Sequence, residues 1–132
     1  MANEWKWKAG PRMVVGFTAA AAQNKGTPCY MTSNVATVCA DGGTVDLVAA
    51  EDTTSGSICQ YIMPFCDVFE VKVATGTDLA EGAKVFCAAT NTVDAGSASQ
   101  VDSGTCINYD PASGGCALIA VVSRMLTPTI YS

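Results

Sequence analysis

Glycine-centred turn signals punctuate this chain at short intervals: Asp41-Gly42-Gly43, Ser55-Gly56, Thr75-Gly76, Glu81-Gly82, Ala95-Gly96, Ser103-Gly104 and Ser113-Gly114-Gly115. Gaps of about 6 to 20 residues between such breaks leave room for short strands and turns but not for a helical bundle. The segments in between have strand composition. In Val68-Phe69-Glu70-Val71-Lys72-Val73, the residues Phe69, Val71 and Val73 alternate with Glu70 and Lys72, which predicts a half-buried strand with one apolar face. Further strands are predicted at Ile58–Met63, Lys84–Cys87, Thr105–Tyr109 and Ala117–Val122, the last apolar enough to lie centrally, with weaker ones at Val35–Val38 and Val45–Val48. No window of about eleven residues carries a helical apolar period, and only Val14–Gln23 has the alanine content for a helical turn or two. The expected class is all-β: a small β-barrel or β-clip-like domain with little helix. The polar stretch from Thr90 to Gly104 reads as a surface loop or hairpin tip.

A length of 132 residues suits one domain and is enough to bury a core without metal or disulfides. The charge is unevenly placed. Residues 1–25 carry Lys6, Lys8, Arg12 and Lys25 against Glu4 alone, whereas the rest has three basic and eleven acidic side chains, so the two parts stand at +3 and −8. We therefore expect an extended N-terminal arm over 1–25 and a single β domain over 26–132. A cationic arm on an acidic body points to an acidic surface as the arm's partner, on a neighbouring copy or on another protein.

Composition removes several function classes. The chain has no histidine, so Ser-His-Asp and Cys-His catalysis and histidine metal sites are excluded. A net charge of −5 opposes binding to a phosphate backbone, so no nucleic-acid partner is expected. No apolar run approaches the ~18 to 20 residues that span a bilayer, and no membrane partner is expected. Met13–Ala22 could pass for a secretory signal, but its apolar stretch is alanine-rich and broken by Gly16 and Thr18, so the segment is expected to be retained.

The seven cysteines include no C-x-x-C pair, which argues against a zinc knuckle or a redox dithiol. In apolar company such as Phe86-Cys87-Ala88 a reduced cysteine serves as a small core residue. Neither a cofactor nor a metal is expected. Glu51 with Asp52, Asp78, Glu81, and Asp94 with Asp102 could be recruited as acid and base pairs, but all lie in polar, turn-like contexts where solvated carboxylates belong. The chain is not expected to be an enzyme.

The most distinctive local feature is Trp5-Lys6-Trp7-Lys8. In an extended segment the two indoles share one face and the two lysines the other. Two tryptophans with no long apolar stretch beside them suit a docking strand, and they equally suit rings folded back over the domain's own core. Trp5, Lys6, Trp7, Lys8 and Arg12 are the candidate partner contacts.

The run Val71-Lys72-Val73-Ala74-Thr75-Gly76-Thr77-Asp78-Leu79-Ala80-Glu81-Gly82-Ala83-Lys84-Val85-Phe86, followed after a polar hairpin by Cys116–Val122, resembles the small capsid decoration, or cement, proteins of tailed bacteriophages. The resemblance covers roughly residues 68–123. It implies a strand, a Thr-Gly bend, an Asp-Leu-Ala-x-Gly turn and a second strand, with Leu79 as a core plug and Gly82 freeing a sharp turn. It also implies a structural virion protein that binds the major capsid protein on the outer surface of an expanded shell as a homotrimer, after assembly in the host cytoplasm. The same strand-turn-strand unit occurs in sugar-binding β-clip domains, so a secreted or surface-displayed, disulfide-containing β module is the alternative.

Overall fold

The computed structural model describes residues 3–39, 43–74, 77, 79–95, 104–109, 115–123 and 125. Of the positions singled out above, Asp41-Gly42, Thr75-Gly76, Asp78, Gly96, Ser97 to Ser103, and Ser113-Gly114 lie outside them. The expectation of an all-β chain is borne out. Eleven strands occur among the described residues: β1 Lys6–Ala9, β2 Met13–Ala19, β3 Pro28–Thr32, β4 Val35–Val38, β5 Leu47–Ala49, β6 Ile58–Met63, β7 Phe65–Lys72, β8 Lys84–Cys87, β9 Val93–Asp94, β10 Gly104–Tyr109 and β11 Cys116–Val122. Among the described residues one 3₁₀-type turn spans Ala89–Asn91.

The strands form two sheets. One is open, with six strands in the order β1-β7-β11-β10-β8-β9, and the other is a closed barrel, β2-β4-β3-β5-β6. Strand period 2 divides the side chains of β5 and β6 between two apolar cores. Leu47, Ala49, Cys59, Tyr61 and Met63 point into the barrel with Ala19, Cys29 and Ala36. Val48 and Ile62, on the opposite face, pack with Phe69, Val71, Val85, Ile119 and Val121 of the open sheet. A five-stranded ring is narrower than the eight-stranded barrels whose interiors side chains just fill, and three alanines and two cysteines leave room in that bore for Leu47, Tyr61 and Met63. Cys29 and Cys59 thus act as small apolar fillers.

The barrel also holds a polar network. Tyr61 Oη donates to Gln23 Oε1 at 2.8 Å, and Gln23 Nε2 donates to the Ala36 carbonyl at 3.0 Å. The backbone of Gln23 pairs with Thr53, its N–H donating to Oγ1 at 2.7 Å. Burial pushes the Tyr61 hydroxyl up to about 12 and the Cys29 thiol up to about 12.

Two expectations are corrected. Val14–Gln23 is not helical: Met13–Ala19 is a strand that pairs antiparallel with β6 from Met13↔Met63 to Thr18↔Ile58 and parallel with β4. Val14, Val15, Phe17 and Thr18 favour that pairing, and it outweighs the modest helix preference of the alanines that follow. The polar stretch after Thr90 is likewise not loop throughout, since Val93 is buried and pairs with Cys87. The turn that makes this hairpin has positive φ at both Thr90 and Asn91, the type I′ signature, and Ser33-Asn34 makes the same turn between β3 and β4.

Residues 3–25 contribute one strand to each sheet. β1 lies along the edge of the open sheet, with Lys6 opposite Glu70 and Trp7 opposite Phe69.

Candidate functional site

The chemistry-bearing side chains of the N-terminal segment gather where β1 passes the barrel. Backbone bonds set its path: the Trp5 N–H donates to the Gly26 carbonyl at 2.8 Å, and the Gly26 N–H donates to the Ala49 carbonyl at 2.8 Å. Gly26 has φ +90°, and a β-carbon there would stand 2.8 Å from both the Glu4 β-carbon and the Trp5 carbonyl oxygen, so only glycine admits this approach.

The two tryptophans have different fates. Trp5 is 2% exposed and belongs to the core shared by barrel and open sheet. Its ring tilts against Phe69 at 5.9 Å between centroids, and its Nε1 donates to the Asn91 carbonyl at 2.9 Å. The indole therefore clamps the type I′ turn, and Asn3 Nδ2 donates to the neighbouring Thr90 carbonyl at 3.4 Å. Trp7 is half-buried. It packs against the same core, its Nε1 donates to Asp67 Oδ2 at 2.9 Å, and the Arg12 guanidinium lies over its ring, 5.6 Å from the centroid.

Asp67 organises this corner. Fully buried, it accepts the Phe65 N–H on Oδ1 at 2.7 Å and, on Oδ2, both Trp7 Nε1 and the Arg12 N–H, each at 2.9 Å. A buried carboxylate is tolerated only with such donors. They also hold Arg12 in a left-handed conformation, φ +52°, at the end of the tight Gly10-Pro11 connection.

Between β1 and the barrel lies a cleft of about 320 Å³, lined by Glu4, Trp5, Lys6, Trp7, Arg12, Lys25 and Ile62. Three cations and Glu4 line it, and Lys6 also stands across the strand pair from Glu70. Of the candidate contacts, Lys6, Trp7 and Arg12 are brought together in the cleft, Trp5 contributes from the buried side, and Lys8 is exposed outside it. Lys25 joins through its place beside the barrel, where its backbone N–H donates to Asp52 Oδ1 at 2.9 Å. Sequence reasoning counted Lys25 only as charge and missed Asp67. The signal was there, because Asp67 has the same strand parity as Phe69, Val71 and Val73 and so belongs to the inward face.

The turn residues fall elsewhere. Leu79 is buried in the main core, and Gly82 has φ +81° with its N–H donating to the Cys106 carbonyl at 2.7 Å. Glu51 and Asp52 serve backbone N–H groups of Gln60 and Lys25, and Glu81 is exposed. All seven cysteines carry free thiols. The Cys39 thiol donates to the Thr44 carbonyl at 2.9 Å, and the neighbouring Cys87 sulfur together with burial drives the Cys39 thiol far above its ordinary range. Among the described residues, no group of three or more cysteine or acidic side chains is placed to hold a metal ion.

No family model matches this sequence, and no curated protein matches it. Among solved structures the fold is similar to the N base of head fiber gp8.5 of bacteriophage phi29, with a TM-score of 0.57, over 83% of this chain and 94% of that one, at 16% identity. At that identity the likeness is one of fold.

Proposed function

We propose that this protein is a structural component of a bacteriophage head, bound to the outer surface of the expanded shell through its N-terminal face. The observation that carries the reading is the fold likeness to a phage head fiber base, which extends over 83% of this chain and 94% of that one. The sequence resemblance of residues 68–123 to capsid decoration proteins points the same way. In this role the protein binds the major capsid protein as a trimer and stabilises the shell by linkage: a ligand that binds only the expanded form favours that form. Three copies acting together gain avidity without stronger single contacts. Such a role asks for no catalysis, cofactor, nucleic acid or membrane, and its place is the virion surface after assembly in the host cytoplasm.

The test is co-sedimentation of the full chain with expanded and unexpanded heads of its own phage, with the mass of the free protein measured by sedimentation velocity. Binding to expanded heads alone, by a species of three chains, supports the reading. Absence from both kinds of head overturns it.

A further inference from the structure

We infer that the cleft between β1 and the barrel binds side-chain carboxylates of an acidic, extended peptide segment, and that on the proposed function this segment belongs to the shell. Lys6, Arg12 and Lys25 line the cleft with Glu4, while Glu70 stands across the strand pair from Lys6 and the Asp52 and Asp67 carboxylates are taken up by backbone N–H groups of Lys25 and Arg12; among the described residues no ion pair ties any of the three cations to a carboxylate. Their charge is available to a partner. The arginine is also pre-positioned: Asp67 fixes both its backbone N–H and the indole beneath its guanidinium, so little side-chain freedom is lost on binding. A planar guanidinium is suited to a carboxylate, which it can engage through two parallel N–H bonds.

Size and surface select among acidic partners. About 320 Å³ is at the small end of ligand sites, room for a side chain or two but not for a folded domain. An acidic sugar would look for an open aromatic face on which to lay its ring. Trp5 is buried, and Trp7 packs on the core and carries Arg12 over its ring. The cleft thus offers cations without a free aromatic platform, which favours peptide carboxylates over a uronic acid. The remainder of the chain, at −8, repels an acidic segment from other faces and so directs it here.

The experiment uses the full-length protein and three fluorescein-labelled probes: an eight-residue Glu-Ser repeat, its Lys-Ser counterpart and a charge-matched oligogalacturonate. Anisotropy is read at low salt and at 0.5 M salt, and the same variants are tested on expanded heads. The expected result is binding of the Glu-Ser peptide alone, weakened by salt, about tenfold weaker in Arg12→Gln and lost in Lys6→Gln/Arg12→Gln/Lys25→Gln. Lys8→Gln, outside the cleft, leaves it within about twofold. Urea midpoints unchanged in all variants confirm that folding is intact. Equal or tighter binding of the oligogalacturonate overturns the choice of peptide. If wild-type protein binds heads and the triple variant binds them equally well, the cleft inference fails while the head reading stands; if wild-type protein binds no heads but does bind the Glu-Ser peptide, the head reading fails and the cleft stands.

Discussion

The indole N–H of Trp7 donates to the buried carboxylate of Asp67 at 2.9 Å, on the same oxygen that receives the backbone N–H of Arg12. One atom therefore fixes an aromatic ring, a strained backbone turn and, through the ring, the guanidinium above it. Asp67→Asn replaces one acceptor oxygen with an amide that has nothing to offer these N–H groups. We expect a loss of about 2–3 kcal/mol in urea unfolding, together with a mobile Arg12 seen as weaker peptide binding in the folded variant.

Gly10 stands against the same carboxylate. With φ +126°, and with a β-carbon that would fall 2.8 Å from both the α-carbon and the carboxyl carbon of Asp67, Gly10→Ala is strained and crowded at once. A cost of about 2 kcal/mol or more is expected, measurable as a lowered urea midpoint with an unchanged slope.

The two tryptophans differ in burial, and their substitutions should differ in cost. Trp5→Ala empties a core site and leaves the Asn91 carbonyl without its donor, so a loss of about 3–5 kcal/mol is expected. Trp7→Ala removes a half-buried ring and should cost roughly half as much, while weakening the cleft. Equal destabilisation by both, read from urea midpoints, would contradict the burial difference between them.

Thiol labelling under native conditions should follow exposure. Cys66 is exposed, Cys116 is half-buried, and Cys29, Cys39, Cys59, Cys87 and Cys106 are buried. Iodoacetamide followed by peptide mass mapping should label Cys66 first and Cys116 more slowly, with the other five reacting only on unfolding. Early modification of Cys29 or Cys59 would show that the barrel opens.

Alkaline solution should unfold the barrel before the thiols and Tyr61 ionise in place. Cys29 rises from 9.0 to about 12 and Tyr61 from 10.0 to about 12 in the folded state, both chiefly by burial. The unfolded chain thus releases these protons first. Stability is full below pH 9 and falls as pH rises toward 12, by up to about 4 kcal/mol for Cys29 alone. Thermal midpoints across pH 8–11 check the sign, and Cys29→Ala should flatten the decline.

Much of this fold can be read from alternation and punctuation. Phe69, Val71 and Val73 announce their inward face, and Glu81-Gly82 marks the turn that leads into Lys84–Cys87. The readings that failed depend on partners distant in the chain. Nothing near Val14 or Phe17 reveals that Ile62 and Cys59 will pair with them, and local alanine content suggested a helix instead. Thr90-Asn91 and Ser33-Asn34 make type I′ turns without the glycine that usually marks them. The candidate site was half legible: the charge imbalance singled out the segment that lines the cleft, whereas the sharing of Asp67 between Trp7 and Arg12 exists only once β1 lies beside β7.

The position of β11 sets a condition on biosynthesis. This strand occupies the middle of the open sheet, bonded to β7 on one side and β10 on the other. Until the ribosome has made residue 122 and released it from the exit tunnel, β1-β7 and the β10-β8-β9 group are separate ribbons with unpaired edges. No nascent portion of that sheet can be completed early, so the growing chain waits for β11 with its apolar faces uncovered. Production should therefore be sensitive to translation speed and chaperone supply, and a chain terminated before Cys116 should be degraded rather than accumulate as a smaller stable unit.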